Sequence, residues 1–192
     1  MKILCIGDIA GRVGRDMVFS YLDRYADKYD LIMVDAYRDV TIPFQMSSIE
    51  FFSEVNEHLT DDGVMVVNLN MFSSTDGSID KYLCDTVAAV FNTVYVADRG
   101  TNRVVFASNN PNMLSKFQET YPKSDHELSY ILSTVDKRIK EYQGGDLILT
   151  DDKAPVELLG MQVIDEMITK ELEYYKNMFK DMSLSEMLDF LQ

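Results

Sequence analysis

The sequence predicts an α/β protein: a mostly parallel sheet with an antiparallel hairpin at its edge, helices on both faces and a long helical tail. Three observations lead there. Short apolar runs, β-branched in part, alternate with longer stretches whose apolar residues recur at helical spacing. Two such runs, Thr93–Asp98 and Arg103–Ser108, are separated only by Arg99-Gly100-Thr101-Asn102, a linker of hairpin length. From Ile164 to Met182 the apolar residues keep a helical repeat with no strand pattern between them.

In chain order, Met1–Gly7 reads as a first strand running into Asp8-Ile9-Ala10-Gly11-Arg12-Val13-Gly14-Arg15. A glycine-rich turn between strand and helix can hold a phosphate or nucleoside. The spacing here is G-x-x-x-G-x-x-G, which reads more simply as a tight turn with two exposed arginines. A helix over roughly Asp16–Ala26 would bury Val18, Tyr21, Leu22 and Tyr25. Leu31–Ala36 follows, the kind of run that fills a buried parallel strand, and it ends in Asp35. Ligands of open α/β sheets sit outside the carboxyl ends of the strands, so Asp35 stands where chemistry is usually done. The plain alternative is a carboxylate that caps a loop.

Tyr37 and Asp39 come next, Pro43 stiffens the loop, and Ser47-x-x-Glu50 reads as a capping box. Asp61-Asp62-Gly63 reads as a turn before a second buried strand, Val64–Asn70. Asn68 and Asn70 at its end are explained by side-chain bonds to a turn more readily than by catalysis. The polar loop Ser73–Gly77 leads to a helix over Ile79–Phe91, with Ile79, Tyr82, Leu83, Val87 and Val90 inward. After the hairpin, Asn109-Asn110-Pro111 stops the strand and a short helix covers about Asn112–Thr120. Ser124-x-x-Glu127 is a second capping box. It opens a helix with Leu128, Ile131, Leu132, Val135, Ile139 and Tyr142 on one stripe, ended by Gly144-Gly145. Asp146–Leu159 is an apolar run, an acidic turn and then Pro155 in the first turn of a helix. Ser183-x-x-Glu186 restarts a short helix at the end. So long an amphipathic tail either packs on its own sheet or makes a dimer contact.

The 192 residues, 46% of them apolar, suffice for one domain with a full core. A net charge of −14 argues against binding a nucleic-acid backbone and suits, weakly, a cationic ligand. No apolar run reaches the roughly 18 residues of a membrane span. The opening run, stopped by Asp8, does not have the pattern of a signal peptide. Cys5 and Cys84 read as buried thiols of a reducing compartment, and a cytoplasmic location follows as the expectation. His58 and His126 lie far apart and make no metal-ligand pattern, so no metal is expected.

Four segments, in order, resemble the polyamine aminopropyltransferases, the spermidine synthase family, and its bacterial synthase-like branch in particular. They are Ile6–Asp8, Tyr29–Phe52 (YDLIMVDAYRDVTIPFQMSSIEFF), Val94–Pro111 and Leu149–Leu159 (LTDDKAPVELL). The resemblance implies a Rossmann, methyltransferase-like sheet. It covers residues 1–159 as a domain lacking the family's first core strands, with Met1–Asp8 standing in for the third strand and 160–192 as a helical tail. It implies aminopropyl transfer from decarboxylated S-adenosylmethionine, as co-substrate, to a diamine. Asp35 would be the catalytic acid, Tyr37 would hydrogen-bond the amine, and Asp39 would hold the diamine. Asp8 would receive the adenine amino group and Pro43 would pack on the ring, with Gly7 and Ala36 in the same nucleoside-binding set. The family's hairpin-loop aromatic is replaced by Arg99 and Gly100, and an arginine there would repel a diamine.

Two other readings stand beside this one. The chain can have kept the fold to bind a nucleoside or a partner without turnover. Its opening, MKILCIGDIAGRVGRD, is also similar to that of a calcineurin-like metallophosphoesterase family, in which the Asp matching Asp8 is a metal ligand. A polyamine, a nucleoside and a second copy of the chain are the partners these readings admit.

Overall fold

A computed structural model of the chain describes residues 1–7, 11–25, 28–35, 43, 46–69, 78–100, 102–153 and 155–180. Its elements in chain order are β1 (Ile3–Gly7), α1 (Gly11–Tyr25), β2 (Tyr29–Asp35), α2 (Ile49–Glu57), β3 (Leu59–Leu69) and α3 (Ile79–Val90). The hairpin β4 (Thr93–Arg99) and β5 (Asn102–Ser108) follows, then α4 (Met113–Thr120), α5 (His126–Asp136), β6 (Ile139–Glu141) and α6 (Val156–Phe179). They build one six-stranded sheet of order β1-β2-β3-β5-β4-β6. β1, β2 and β3 are parallel, while β5 runs antiparallel to both β3 and β4, and β6 antiparallel to β4. The α/β class and the hairpin are as the sequence predicts.

Successive right-handed crossovers in one direction place α1 and α2 on the same face of the sheet. Phe19 of α1 and Phe51 of α2 stack there with centroids 6.2 Å apart. Every second strand residue points into this layer: Ile6, Ile32, Val34, Met65, Val67 and Leu69 are buried against it. The alternate residues face the other side. Over β3, β5 and β4 that side is covered by α4 and α5, where Val64, Tyr95 and Phe106 meet Phe117, Leu132 and Val135 around an apolar cavity of about 330 Å³. Over β1 and β2 it is open to solvent at Ile3, Cys5 and Met33. β2 is therefore buried on one face, not on both as its apolar run suggested, and Cys5 is exposed while Cys84 is buried.

Several expectations are corrected. β1 is hydrogen-bonded directly to β2. In a doubly wound sheet the third strand lies at the far side of the first two, so β1 sits where such a sheet has its first strand. Helix α1 begins at Gly11, taking Gly11 and Gly14 out of the turn, and Arg15 is buried. Asp61-Asp62-Gly63 is inside β3, where the register jumps from Tyr29↔Leu59 to Leu31↔Val64. The extra residues bulge out, and Gly63 is packed so tightly that a Cβ would lie 2.9 Å from the carbonyl oxygens of Thr60 and Tyr29.

Both capping boxes are displaced by one residue. Ser48, not Ser47, caps α2 by accepting from Phe51 N, and Asp125, not Ser124, caps α5 by accepting from Leu128 N. Helix α5 stops at Asp136, and Ile139 continues as β6, so the hairpin is not the sheet edge. Pro155 is the N-cap of α6, one residue before its first turn. Ser73–Gly77, Asn70 and the final Ser183-x-x-Glu186 lie outside the described residues, as does the side chain of Tyr25.

Candidate functional site

The carboxyl ends of β1, β2 and β3 meet at one edge of the sheet. Gly7 and Asp35 end their strands as register partners, and Asn68 lies on the same face of β3 one strand over. Asp35 is exposed, and its Oδ1 accepts from Asn68 Nδ2 at 3.4 Å. Among the described residues no lysine or arginine pairs with Asp35. Asn68 is the residue that sequence reasoning undervalued. Only the parallel pairing of β2 with β3 shows that its amide stands beside the carboxylate. Pro43 is half-buried, with its carbonyl accepting from Met46 N at 2.9 Å. Asp8, Ala36, Tyr37 and Asp39 lie outside the described residues. Of the residues singled out from sequence, the structure thus brings Gly7 and Asp35 together.

Around this edge the helix starts are tied by a segment more than a hundred residues away in sequence. Leu149 O accepts from Ile49 N, at 2.9 Å, in the first turn of α2. Asp151 then takes Ser48 Oγ on one oxygen and Arg15 Nη1 on the other, each at 2.5 Å, and its own N–H donates to Glu50 Oε2 at 3.0 Å. One aspartate therefore joins α1 to the N-terminus of α2. Glu50, which the capping-box reading directed back to the start of its own helix, serves instead to hold Asp151. Arg15 leaves solvent because this carboxylate receives it, with its guanidinium carbon 5.5 Å from the centroid of the Phe19 ring.

The hairpin is tied at the same edge. Arg103 reaches Asp98 through Nε at 2.7 Å and Nη2 at 3.2 Å, a two-pronged contact, and Asp80 through Nη1 at 3.0 Å. Ser78 Oγ donates to the second oxygen of Asp80 at 2.7 Å. Burial works against the charge of Arg103, but the hydrogen bonds and charge of Asp98, with Asp80 behind them, outweigh it and hold its pKa above the ordinary value. Burial pushes the Cys84 thiol in the same layer up to about 12, so it is neutral and unreactive. Gly100 in the hairpin turn has φ +63°, the left-handed conformation a glycine accepts without strain. Arg99 beside it is exposed.

A second buried carboxylate, Asp85, accepts from Tyr142 Oη at 2.6 Å and from Leu147 N at 3.2 Å, docking the strap after β6 onto α3. Burial and this hydrogen bond raise the Tyr142 phenol far above its usual range. Among the described residues no group of three or more His, Cys, Asp or Glu side chains converges as metal ligands do. No helix is long and apolar enough to cross a membrane, among the described residues.

Residues 12–113 match the family model described as spermine/spermidine synthase domain. A probable polyamine aminopropyl transferase of Bifidobacterium longum is 46% identical over 194 aligned positions, which take in 90% of this chain and 43% of that protein. The chain thus spans less than half the length of that relative. Among solved structures, spermidine synthase from Thermotoga maritima is similar with a TM-score of 0.47 and 19% identity, over 70% of this chain and 55% of that one. A probable spermidine synthase from Corynebacterium glutamicum is similar with a TM-score of 0.40 and 15% identity, over 76% of this chain and 74% of that one.

Proposed function

The chain belongs to the spermine/spermidine synthase family, and on that premise we propose that the edge around Asp35 serves aminopropyl transfer from decarboxylated S-adenosylmethionine to a diamine. The observation that carries the reading is the position of Asp35: a carboxylate at a parallel strand end, exposed, oriented by Asn68 and without a described cation beside it.

The chemistry asks for such a group. An alkylamine has a pKa near 10, about that of a lysine, so it arrives protonated. The site must hold a dication and still present one free amine. Asp35 orients the ammonium and accepts its proton. The amine lone pair then attacks the propyl carbon bonded to the sulfonium. The new C–N bond forms as the C–S bond breaks, and methylthioadenosine leaves with the electron pair. The sulfonium is already an activated leaving group, so alignment supplies most of the acceleration. In this reading Asp39 holds the far ammonium and Tyr37 hydrogen-bonds the amine. Asp8 receives the adenine amino group, Pro43 packs on the ring, and Gly7 and Ala36 border the nucleoside. The net charge of −14 raises the local concentration of a polycation.

Calorimetric titration with methylthioadenosine, followed by turnover with diamines, tests this. Binding that Asp8→Ala abolishes, with turnover that falls at least about a hundredfold in Asp35→Asn while binding persists, is the expected result. Asn68→Ala should cost about fivefold in turnover, the worth of one net hydrogen bond. Absence of binding at millimolar nucleoside overturns the reading. Binding without turnover would instead support a chain that keeps the pocket but not the chemistry.

A further inference from the structure

The strand pairing carries one row of residues across the sheet from β2 to β4. Val34 pairs with Val67, Val67 with Val105 and Val105 with Val96. One residue further out, the row runs Asp35, Asn68, Val104, Ala97. Arg99 stands two residues beyond Ala97. Because β5 is antiparallel to both β3 and β4, β4 runs in the direction of β2 and β3, and Arg99 lies at the same edge as Asp35. In-register neighbours share a face, and so do residues two apart on a strand. Asp35, Asn68 and Arg99 therefore belong to one face of one sheet edge.

The hairpin fixes the backbone of Arg99: Arg99↔Asn102 is the last register pair, and Gly100 turns the chain at φ +63°. Its side chain is exposed, and no carboxylate among the described residues pairs with it. Asp98 beside it is taken by Arg103. Two more exposed cations, Lys137 and Arg138, flank the hairpin where Ile139 pairs with Ala97, and Arg138 Nη1 donates to Asp98 O at 3.5 Å. A cation is thus presented to solvent on the face that carries Asp35.

Three strand spacings across and two residues along set the backbones of Asp35 and Arg99 about 16 Å apart. With the lengths of the two side chains subtracted, a span on the order of 7 Å is left to a ligand. That is the distance from the far amine of a diamino acid to its carboxylate. The geometry points to Arg99 as the residue that selects the amine acceptor, an α,ω-diamino acid. Its ω-amine lies at Asp35, its carboxylate is received by Arg99, and Asn68 lies between. The inference rests on the transfer reading above. There the nucleoside lies toward Gly7 and Pro43, on the β1 side of Asp35, so the acceptor extends the other way, over β3 toward β4. The α-ammonium is left to Asp39. The transfer step is unchanged: the ω-amine lone pair forms the C–N bond as the C–S bond breaks, its proton goes to Asp35, and the carboxylate takes no part. A plain diamine gives Arg99 no partner and sets its charge against a dication.

Ornithine and 1,4-diaminobutane differ only by the carboxylate, so they test it. The full chain, loaded with methylthioadenosine, is titrated calorimetrically with each, and turnover of each is measured with decarboxylated S-adenosylmethionine. Ornithine should bind, and be turned over with a kcat/KM, at least about tenfold better, what a charge-assisted hydrogen bond supplies. Arg99→Gln should bring that ratio to about one, and Arg99→Lys should restore part of it. Lys123→Gln, which removes the same charge before the start of α5, should leave the ratio unchanged. Equal or weaker binding of ornithine by the wild-type chain, or a preference that survives Arg99→Gln, overturns the proposal while leaving aminopropyl transfer to a diamine intact. Arg99-dependent use of S-adenosylmethionine with 1,4-diaminobutane would put the carboxylate on the donor and overturn it too. Absence of methylthioadenosine binding would sink the transfer reading itself, and the acceptor assignment with it.

Discussion

At Asp30 and Glu54 the surroundings move two carboxylates in opposite directions, and the stability of the fold follows. The Lys2 backbone N–H, at 2.7 Å, and Thr60 Oγ1 hold Asp30 below its ordinary 3.8. A depressed carboxylate stabilises the fold above its unfolded pKa, so this contribution is present above about pH 3.8 and is lost as pH falls through the lower folded value. Glu54 lies above its ordinary 4.5 because burial disfavours its charge, with His58 opposing and Asp23 and Glu57 adding to the rise. Folding then favours the protonated form, and ionising it at neutral pH costs stability. Glu54→Gln is expected to raise the urea midpoint at neutral pH, the difference shrinking as pH falls through the raised folded value and vanishing only below the unfolded value of about 4.5. An unchanged or lower midpoint at neutral pH would show that the contact with His58 outweighs the burial. At this scale Asp35 was legible from sequence because a strand end is a local feature. Arg15 was not, because its burial depends on Asp151, which no local pattern connects to it.

At the scale of elements, periodicity located the helices and most strands, and the misplacements share one cause. The stretch Leu128–Tyr142 carries a continuous helical stripe, yet Ile139–Glu141 pairs with the open edge of β4. Three register pairs with β4 decide this, not the propensity of the stretch itself. Asp61-Asp62-Gly63 has turn chemistry, yet the parallel pairing of β2 with β3 absorbs it as a bulge. That bulge gives a test. In Gly63→Ala the new Cβ would stand 2.9 Å from two backbone oxygens, which cannot move without opening the ladder. A loss of about 1–3 kcal/mol in urea unfolding is expected, the usual cost of overpacking. A loss within a few tenths of a kcal/mol would show that the bulge is loose.

At the scale of the whole molecule the charge of −14 acts on every element together. Folding concentrates that charge, and its self-repulsion opposes the compact state. Moderate sodium chloride screens it over a Debye length of about 10 Å, so the thermal midpoint should rise from low to moderate salt. A falling midpoint would mean that ion pairs such as Arg15–Asp151 and Arg103–Asp80 dominate, since salt weakens those.

The chain's own sequence determined the α/β class, the alternation of elements, the hairpin and the position of Asp35. Each rests on neighbours within a few residues: the pleat of a strand, the turn of a helix, the reach of a short loop. Tertiary structure alone decided that β1 lies beside β2, that Asn68 meets Asp35 and that Asp151 joins α1 to α2. It also decided which stripe of α6 faces the body and which faces water. These depend on which distant segments come together, and that choice is made by the packing of the whole core, where every buried side chain must find room and every buried charge a partner.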